Sequence, residues 1–290
     1  MLGRLSLRLR RPLRKMSFRV LQDIPGSSAK FFALEQSLET FVLPMPAAAD
    51  AADNQAVPPP ELWLGYGNSP EQYLESGRGN LSEMLAIVAE SGWTLEPQHR
   101  VLDFGCGAGR MTRWVPPRTD GGEAWGVDIS AACIQWAKEH LTPPARFCTT
   151  TTFPHLPFGD GYFDLILAGS VFTSMTDLED AWLLELRRVL RPGGRVCLTL
   201  LDKHALSVVR QAARHGGLGA ELGTFLEAPD LRSLAESNFA ELIVHRSLKG
   251  GLVIRDIDYV TRMWGQFFDV MTVRLEGHAY ETVLVMSNPG

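Results

Sequence analysis

Residues 101–110 read Val-Leu-Asp-Phe-Gly-Cys-Gly-Ala-Gly-Arg, and no other stretch narrows the folds open to this 290-residue chain so far. Val101, Leu102 and Phe104 bracket one acid, Asp103, and the run then opens into glycines at alternating positions, Gly105, Gly107 and Gly109. The pattern predicts a buried strand ending in a turn at the start of a helix. Glycine has no Cβ, so a ligand can lie directly on the main chain there, and the amides at a helix start face it unpaired. An acid at the strand tip can hold a cationic group.

The spacing separates two ligands. A dinucleotide turn reads G-x-G-x-x-G and aims its amides at a pyrophosphate. Here Arg110 stands where the last of those glycines would be, and a carboxylate precedes the first. Both disfavour pyrophosphate, and with it an NAD-type oxidoreductase, and suit an ammonium or sulfonium. A second acid comes in Gly126-Val127-Asp128-Ile129-Ser130. Residues 124–127 read as a strand and Ser130 as the N-cap of a helix to residue 140. Asp128 falls roughly 20 residues past the turn, where a ribose-binding carboxylate is expected, and Ile129 would lie against a base. The alternative is an acid stabilised by a helix start.

Two further stretches extend the alternation. Leu156-Pro157-Phe158-Gly159-Asp160-Gly161-Tyr162-Phe163-Asp164 turns into a buried strand at 163–168. Leu190-Arg191-Pro192-Gly193-Gly194 ends a helix over 177–190 and opens a strand at 195–200. In order and spacing, the four stretches closely resemble the class I S-adenosylmethionine (SAM)-dependent methyltransferases, and the resemblance covers residues 98–201. It implies SAM as cofactor, held by Asp103, Gly105, Cys106, Gly107, Gly109, Asp128, Ile129, Thr152, Phe153, Gly169 and Ser170. There are two departures. Thr152 stands where the family usually has an acid or asparagine near the adenine, and Ser174 stands where many relatives have histidine. The segment from Leu62-Trp63-Leu64-Gly65-Tyr66-Gly67 through Tyr73-Leu74-Glu75-Ser76-Gly77-Arg78 resembles bacterial members linked to glycans and secondary metabolites, in which it folds over the cofactor as a flap. Tyr66 and Arg78 are then the residues expected to reach the methionine carboxylate or the substrate.

The expected architecture is α/β: a Rossmann-like, doubly wound, mostly parallel seven-stranded sheet closed by a C-terminal antiparallel hairpin, its strands at 267–274 and 281–286. The expected organisation is residues 1–60 as basic leader, short helix (27–43) and Pro/Ala-rich linker, and residues 61–290 as the methyltransferase domain. Within that domain 61–97 is the flap and 202–265 the substrate lid, the lid containing helices at 229–237 and 257–265. The candidates for an acceptor base are Asp202 and His204 after the fifth strand, with Ser174 opposite. His155 reads as structural, and His278 as lying in the hairpin turn away from the pocket.

Charge and cysteine usage bound the partners. The chain carries −5 overall, yet its first 22 residues hold seven basic residues and no acid, leaving the remainder at −12. An acidic body argues against a nucleic-acid substrate. The leader reads as a mitochondrial transit peptide, a basic arm, or an upstream extension of a frame beginning at Met16. The cytoplasm is therefore the expected compartment, with the mitochondrion as the alternative. Cys106, Cys133, Cys148 and Cys197 have no metal-binding spacing, and no metal is expected. No apolar run reaches the ~18–20 residues of a membrane span. The expected activity is methyl transfer from SAM to the oxygen or nitrogen of a small molecule or sugar. The alternative is a methyltransferase-fold assembly or scaffold protein with weak or no catalysis. Oligomeric state stays open.

Overall fold

A computed structural model describes residues 29–33, 55–215, 220–227, 237–246 and 250–290. Its strands are β1 (Ala29–Ala33), β2 (Val101–Phe104), β3 (Ala124–Asp128), β4 (Arg146–Thr149), β5 (Phe163–Ala168), β6 (Leu190–Asp202), β7 (Glu241–Arg246), β8 (Gly250–Arg255), β9 (Asp269–His278) and β10 (Glu281–Ser287). Its helices are α1 (Pro70–Glu90), α2 (Ala131–Leu141), α3 (Glu179–Val189), α4 (Lys203–His215), α5 (Ala220–Leu226) and α6 (Ile257–Trp264).

The central seven strands run β4-β3-β2-β5-β6-β10-β9. The first five are parallel, and β10 joins antiparallel to both β6 and β9. This is the expected doubly wound sheet with its closing hairpin. β5 is buried along its whole length, as a parallel strand covered on both faces must be. Alternation then sorts its side chains. Ile166 and Ala168, with Leu102 and Phe104 of β2, pack against Trp182, Leu183 and Leu186 of α3. Leu165 and Leu167, with Val101, pack against Leu81, Met84 and Val88 of α1. Asp103 alternates with Leu102 and Phe104, so it points to the α1 side of the sheet.

Ser69 caps α1, its hydroxyl accepting from the Gln72 amide at 3.3 Å, and Pro70 occupies the first helical position. Gly77 lets α1 approach the glycine turn: a Cβ there would sit 2.2 Å from the Arg110 carbonyl oxygen. The Tyr-Leu-x-x-Gly run is thus the packing contact between helix and turn.

The structure departs from the expected secondary structure in several places. The helix predicted over 27–43 is, where described, strand β1, paired in parallel with β7. The glycine turn leads into one 3-10 turn, Thr112–Trp114, in place of a helix. Pro116 and Pro117 come next and stop any continuation, so the turn offers amides without a long helix dipole. The segment read as a lid over 202–265 contains β7 and β8, and β8 pairs with the end of β6 at Leu201 and Asp202. Strand six is longer than expected, running through the Pro-Gly-Gly run to Asp202. Helices α4 and α5 lie where the sequence predicts none. The predicted helix at 229–237 and the leader at 1–22 lie outside the described residues, except for Ser237.

β8 is anchored over the C-terminal end of β5 by Arg255, which is 1% exposed. Its guanidinium donates to the Phe172 carbonyl at 2.6 Å and the Met175 carbonyl at 3.3 Å, and it pairs with Glu241 at 2.9 Å and with Glu179. Trp264 donates to the same Glu179 at 2.9 Å. Arg255 therefore fixes the loop after β5, which borders the crevice. Arg255→Met leaves Glu179 and Glu241 without their cation. Both carboxylates keep some solvent, so the expected loss is about 2–3 kcal/mol, below the range for a fully buried pair. Urea denaturation measures it, and an unchanged midpoint contradicts this anchoring role.

Candidate active site

The carboxyl ends of β2, β3, β5 and β6 meet at one crevice, the position where open α/β sheets bind ligands. Gly105, Gly107 and Gly109 all have positive φ, at 78°, 55° and 75°, a region that disfavours residues with a Cβ. Their roles differ. A Cβ on Gly105 would lie 2.3 Å from Val171, and one on Gly109 2.7 Å from Leu141. These two glycines admit protein packing. A Cβ on Gly107 would meet only Leu64, at 3.2 Å, so Gly107 alone presents bare main chain to the flap.

Asp128 holds the turn in place. One carboxylate oxygen accepts from the Gly107 amide at 2.8 Å and the other from the Ser130 amide at 2.7 Å. Burial raises its pKa, opposed by these amides. Each oxygen keeps lone-pair capacity beyond its one amide, enough to accept from a pair of ribose hydroxyls. Ile129 beside it is 48% exposed, as a surface awaiting a flat base would be.

Asp103 lies 1% exposed at the tip of β2. Thr112 donates to its Oδ2 at 2.6 Å, and its Oδ1 is buried with no partner among the described residues. Burial pushes its pKa up to about 6, against the pull of the Thr112 hydrogen bond and Arg110. A buried carboxylate oxygen without a donor is costly and fits a cationic ligand group.

Residues 62–66, in the segment expected as a flap, cover this crevice. Leu62, Trp63, Leu64 and Tyr66 line, with Asp103, Gly107, Arg110, Met111 and Gly169, a cavity of about 30 Å³. That is room for roughly two waters, so Leu64 has to leave Gly107 before a nucleoside can enter. Trp63 anchors the flap through its stack on Tyr73, ring centroids 5.7 Å apart, and its hydrogen bond to the Pro58 carbonyl at 2.7 Å.

Arg110 is the residue that sequence reasoning misses, since in the motif it registers only as the absence of a glycine. Its guanidinium is buried in the cavity wall, donates to Asn80 Oδ1 at 2.7 Å and Ser76 Oγ at 3.4 Å, and stacks on the Tyr66 ring at 3.6 Å. Arg78, the predicted cation, is exposed on α1. The periodicity of α1 carries a clue: Tyr73, Gly77 and Asn80 share the helix face opposite Arg78.

The other predicted residues divide between the crevice and the surface. Cys106 is buried behind the turn, its thiol pushed well up by burial and donating to the Gly107 carbonyl. Gly169 lines the cavity, with Ser170 next in the chain. Thr152 and Phe153 are exposed, Phe153 at 71%, beyond the end of β4. Asp202 is buried, capping α4 through the Ala205 amide at 2.7 Å and accepting from Thr282 at 3.0 Å. His204 pairs with Glu276 at 2.8 Å on the surface. Ser174 is exposed and bonds its own loop. The three predicted base residues are thus each engaged away from the cavity. His278 corrects the reading in the opposite sense. It is 2% exposed, and its ring borders Gly169.

The methyltransferase-domain family matches residues 102–198. Over 136 residues the chain is 29% identical to a ubiquinone/menaquinone biosynthesis C-methyltransferase of Cupriavidus pinatubonensis, covering 45% of this chain and 53% of that one. Over 164 residues it is 32% identical to a malonyl-[acyl-carrier protein] O-methyltransferase of Salmonella typhimurium, covering 57% and 58%. A SAM-dependent methyltransferase structure from Thermotoga maritima superposes with a TM-score of 0.47 at 16% identity, covering 79% and 99%. The chain spans a little over half the length of the curated relatives it matches.

Burying Asp103 as an anion costs stability. Its folded pKa lies above the unfolded value, so the folded state binds the extra proton between about pH 4 and 6, and stability falls as pH rises through that window. Asp103→Asn should therefore stabilise the protein above about pH 6, by up to about 3 kcal/mol, with the gain vanishing below about pH 4. Thermal unfolding of both proteins across pH checks it; a variant that is destabilised at neutral pH contradicts it.

Proposed function

We propose that this chain, whose residues 102–198 are a methyltransferase domain of the class I SAM-dependent family, methylates a small-molecule acceptor with SAM. The observation that carries the reading is the pairing of Gly107, bare toward the crevice, with the Oδ1 of Asp103, which has no hydrogen-bond partner among the described residues. The residues present fit a sulfonium nucleoside: Asp128 would hold the ribose, Ile129 would lie against the base, and Asp103 would meet the positive end. Arg110, at the opposite wall, suits the methionine carboxylate.

SAM, when bound, supplies a methyl group on a sulfonium leaving group. The chain's own work is alignment and exclusion of water, and well-oriented reactants can gain ~7–11 kcal/mol that way. Asp128 fixes the turn at two amides before any ligand arrives. The flap, seated by Trp63, covers the crevice and shields it. The β7–β8 hairpin, held by Arg255, supports the loop after β5.

The relatives' names point to quinone-type and acyl-carrier-type acceptors, and a sugar acceptor is the choice that the flap resemblance adds. A methyltransferase-fold scaffold is the second reading, favoured by Leu64 resting on Gly107 and opposed by the Asp103 oxygen that has no donor among the described residues.

Calorimetry with S-adenosylhomocysteine tests the reading. Wild-type protein should bind. Asp128→Ala should weaken binding by about tenfold to a hundredfold, the loss of hydrogen bonds to a charged group, and Gly107→Arg should abolish it. Undiminished binding by both variants would contradict the reading. The flap carries a second expectation. Leu64→Ala removes a side chain that is 61% exposed, so it costs little stability. It should tighten S-adenosylhomocysteine binding about threefold, the effect of removing a contact worth under ~1 kcal/mol; weakened binding would contradict the competition.

A further inference from the structure

Strand β9 ends the central sheet on the side away from β4, and among the described residues its outer edge pairs with no strand. Such an edge is open to another chain, and proteins usually blunt it with charge or cover it. Here Met271, Val273 and Leu275 stand between 40% and 47% exposed along it. The pairing with β10 fixes the face that each residue takes. Val283 and Val285 pack on the α1 side and oppose Arg274 and Thr272. Leu284 and Met286 pack on the α3 side and oppose Val273 and Val270. The register shifts between Val285 and Met286, where Met271 is the extra residue on β9. Plain alternation would put Asp269 and Arg274 on opposite faces. The bulge brings both to the α1 face, with Asp269 opposite Ser287.

We infer that β9 is the interface of a homodimer, formed when the β9 edges of two copies pair antiparallel about a two-fold axis between residues 271 and 272. A two-fold contact must be complementary to itself, and residues opposed across an antiparallel pair share a face. This register meets both conditions. Asp269 of each copy opposes Arg274 of the other on the α1 face, and Val270 opposes Val273 on the α3 face. A shift by one residue would set Val270 against Arg274, residues of opposite faces, and break both matches. Charge supports the same register. Arg274 pairs with Glu90 of its own α1, both side chains about half exposed, and Asp269 of the second copy would place that guanidinium between two carboxylates. Glu276, beyond the paired stretch, is held by His204.

The contact is small. Residues 269–274 of each copy, with Leu275 at the rim, fall at the low end of the ~1,200–2,000 Å² of standard interfaces, so the dimer should form in the micromolar range. In the sheet order β9 lies four strands from β2 and its glycine turn. The dimer therefore leaves that turn outside the contact, and the inference does not rest on the methyltransferase reading.

Sedimentation velocity of the full chain tests the dimer. Wild type should pass from monomer to dimer between about 2 and 200 μM, the range of a small interface. Val273→Lys should weaken association by about tenfold or more, with a nearly unchanged thermal midpoint because the side chain is already part exposed. Asp269→Arg and Arg274→Asp each set like charges opposite one another at two places, and each variant alone should lose self-association by about tenfold or more. Mixed in equal amounts, the two variants should associate again, because each then meets the opposite sign at both pairs. A substitution that merely disturbs the fold is not rescued by mixing. Wild type that stays monomeric at the highest concentration, association that survives Val273→Lys, or a mixture no more associated than its two components would overturn the inference.

Discussion

The crevice depends on one carboxylate, that of Asp128, reaching across from β3 to the amides of Gly107 and Ser130. These two bonds join the glycine turn after β2 to the start of α2, and charge-assisted bonds of this kind are among the stronger ones in a fold. They add to the main-chain bonds that the Gly105 and Cys106 amides make to the Val127 carbonyl at 2.8 and 3.0 Å, while the chain beyond the turn offers only a single 3-10 turn and two prolines. An acid does here the work that a longer helix could otherwise do. On the proposed reading the same acid would also meet the ribose, so a substitution here acts on turn geometry and ligand recognition together.

Unfavourable charge is concentrated at the carboxyl ends of the strands. Asp103 and Glu281 are both buried acids with pKa values raised, to about 6 and about 7. His278 is a buried base pushed down to about 4. A fold selected for stability alone would replace all three with apolar residues. Perturbed groups clustered in one cleft are the pattern of a functional site, and here they divide by side. Asp103 and Asp128 face the glycine turn, while Glu281 and His278 face the loop after β5. Arg110 lies between, stacked on Tyr66, and keeps the net charge of the cavity wall in check.

The parts of the molecule legible in the sequence are those held by local interactions. The strands β2 to β6, the α2 cap at Ser130 and the closing hairpin are written in hydrophobic alternation and in Gly and Pro punctuation, and they are readable to within a few residues. Strand β1 is not: Phe31, Phe32 and Leu34 fit a helical period as well as a strand, and only pairing with β7, some two hundred residues downstream, decides. The turn after Gly109 misleads for a different reason, since the strand–glycine pattern favours a helix that two prolines forbid. On the cofactor side, the glycines and Asp128 announce themselves by spacing. Arg110 does not, because its partners Ser76 and Asn80 lie on α1, some thirty residues upstream. The acceptor side is hidden most deeply. Asp202 and His204 come after β6 in sequence, as a base residue might, yet one caps α4 and the other pairs on the surface. Glu281 and Ser170 meet across 111 positions of chain, a contact that no local pattern carries.

The Gly107 turn, flanked by Asp103 and Asp128, is where a sulfonium nucleoside should lie. A crystal structure of the full chain with S-adenosylhomocysteine tests that placement most directly. Ribose hydroxyls are expected on the Asp128 carboxylate, the amino-acid end between Asp103 and Arg110, and Leu64 displaced from Gly107. A nucleoside found elsewhere, with Leu64 still resting on Gly107, would contradict it.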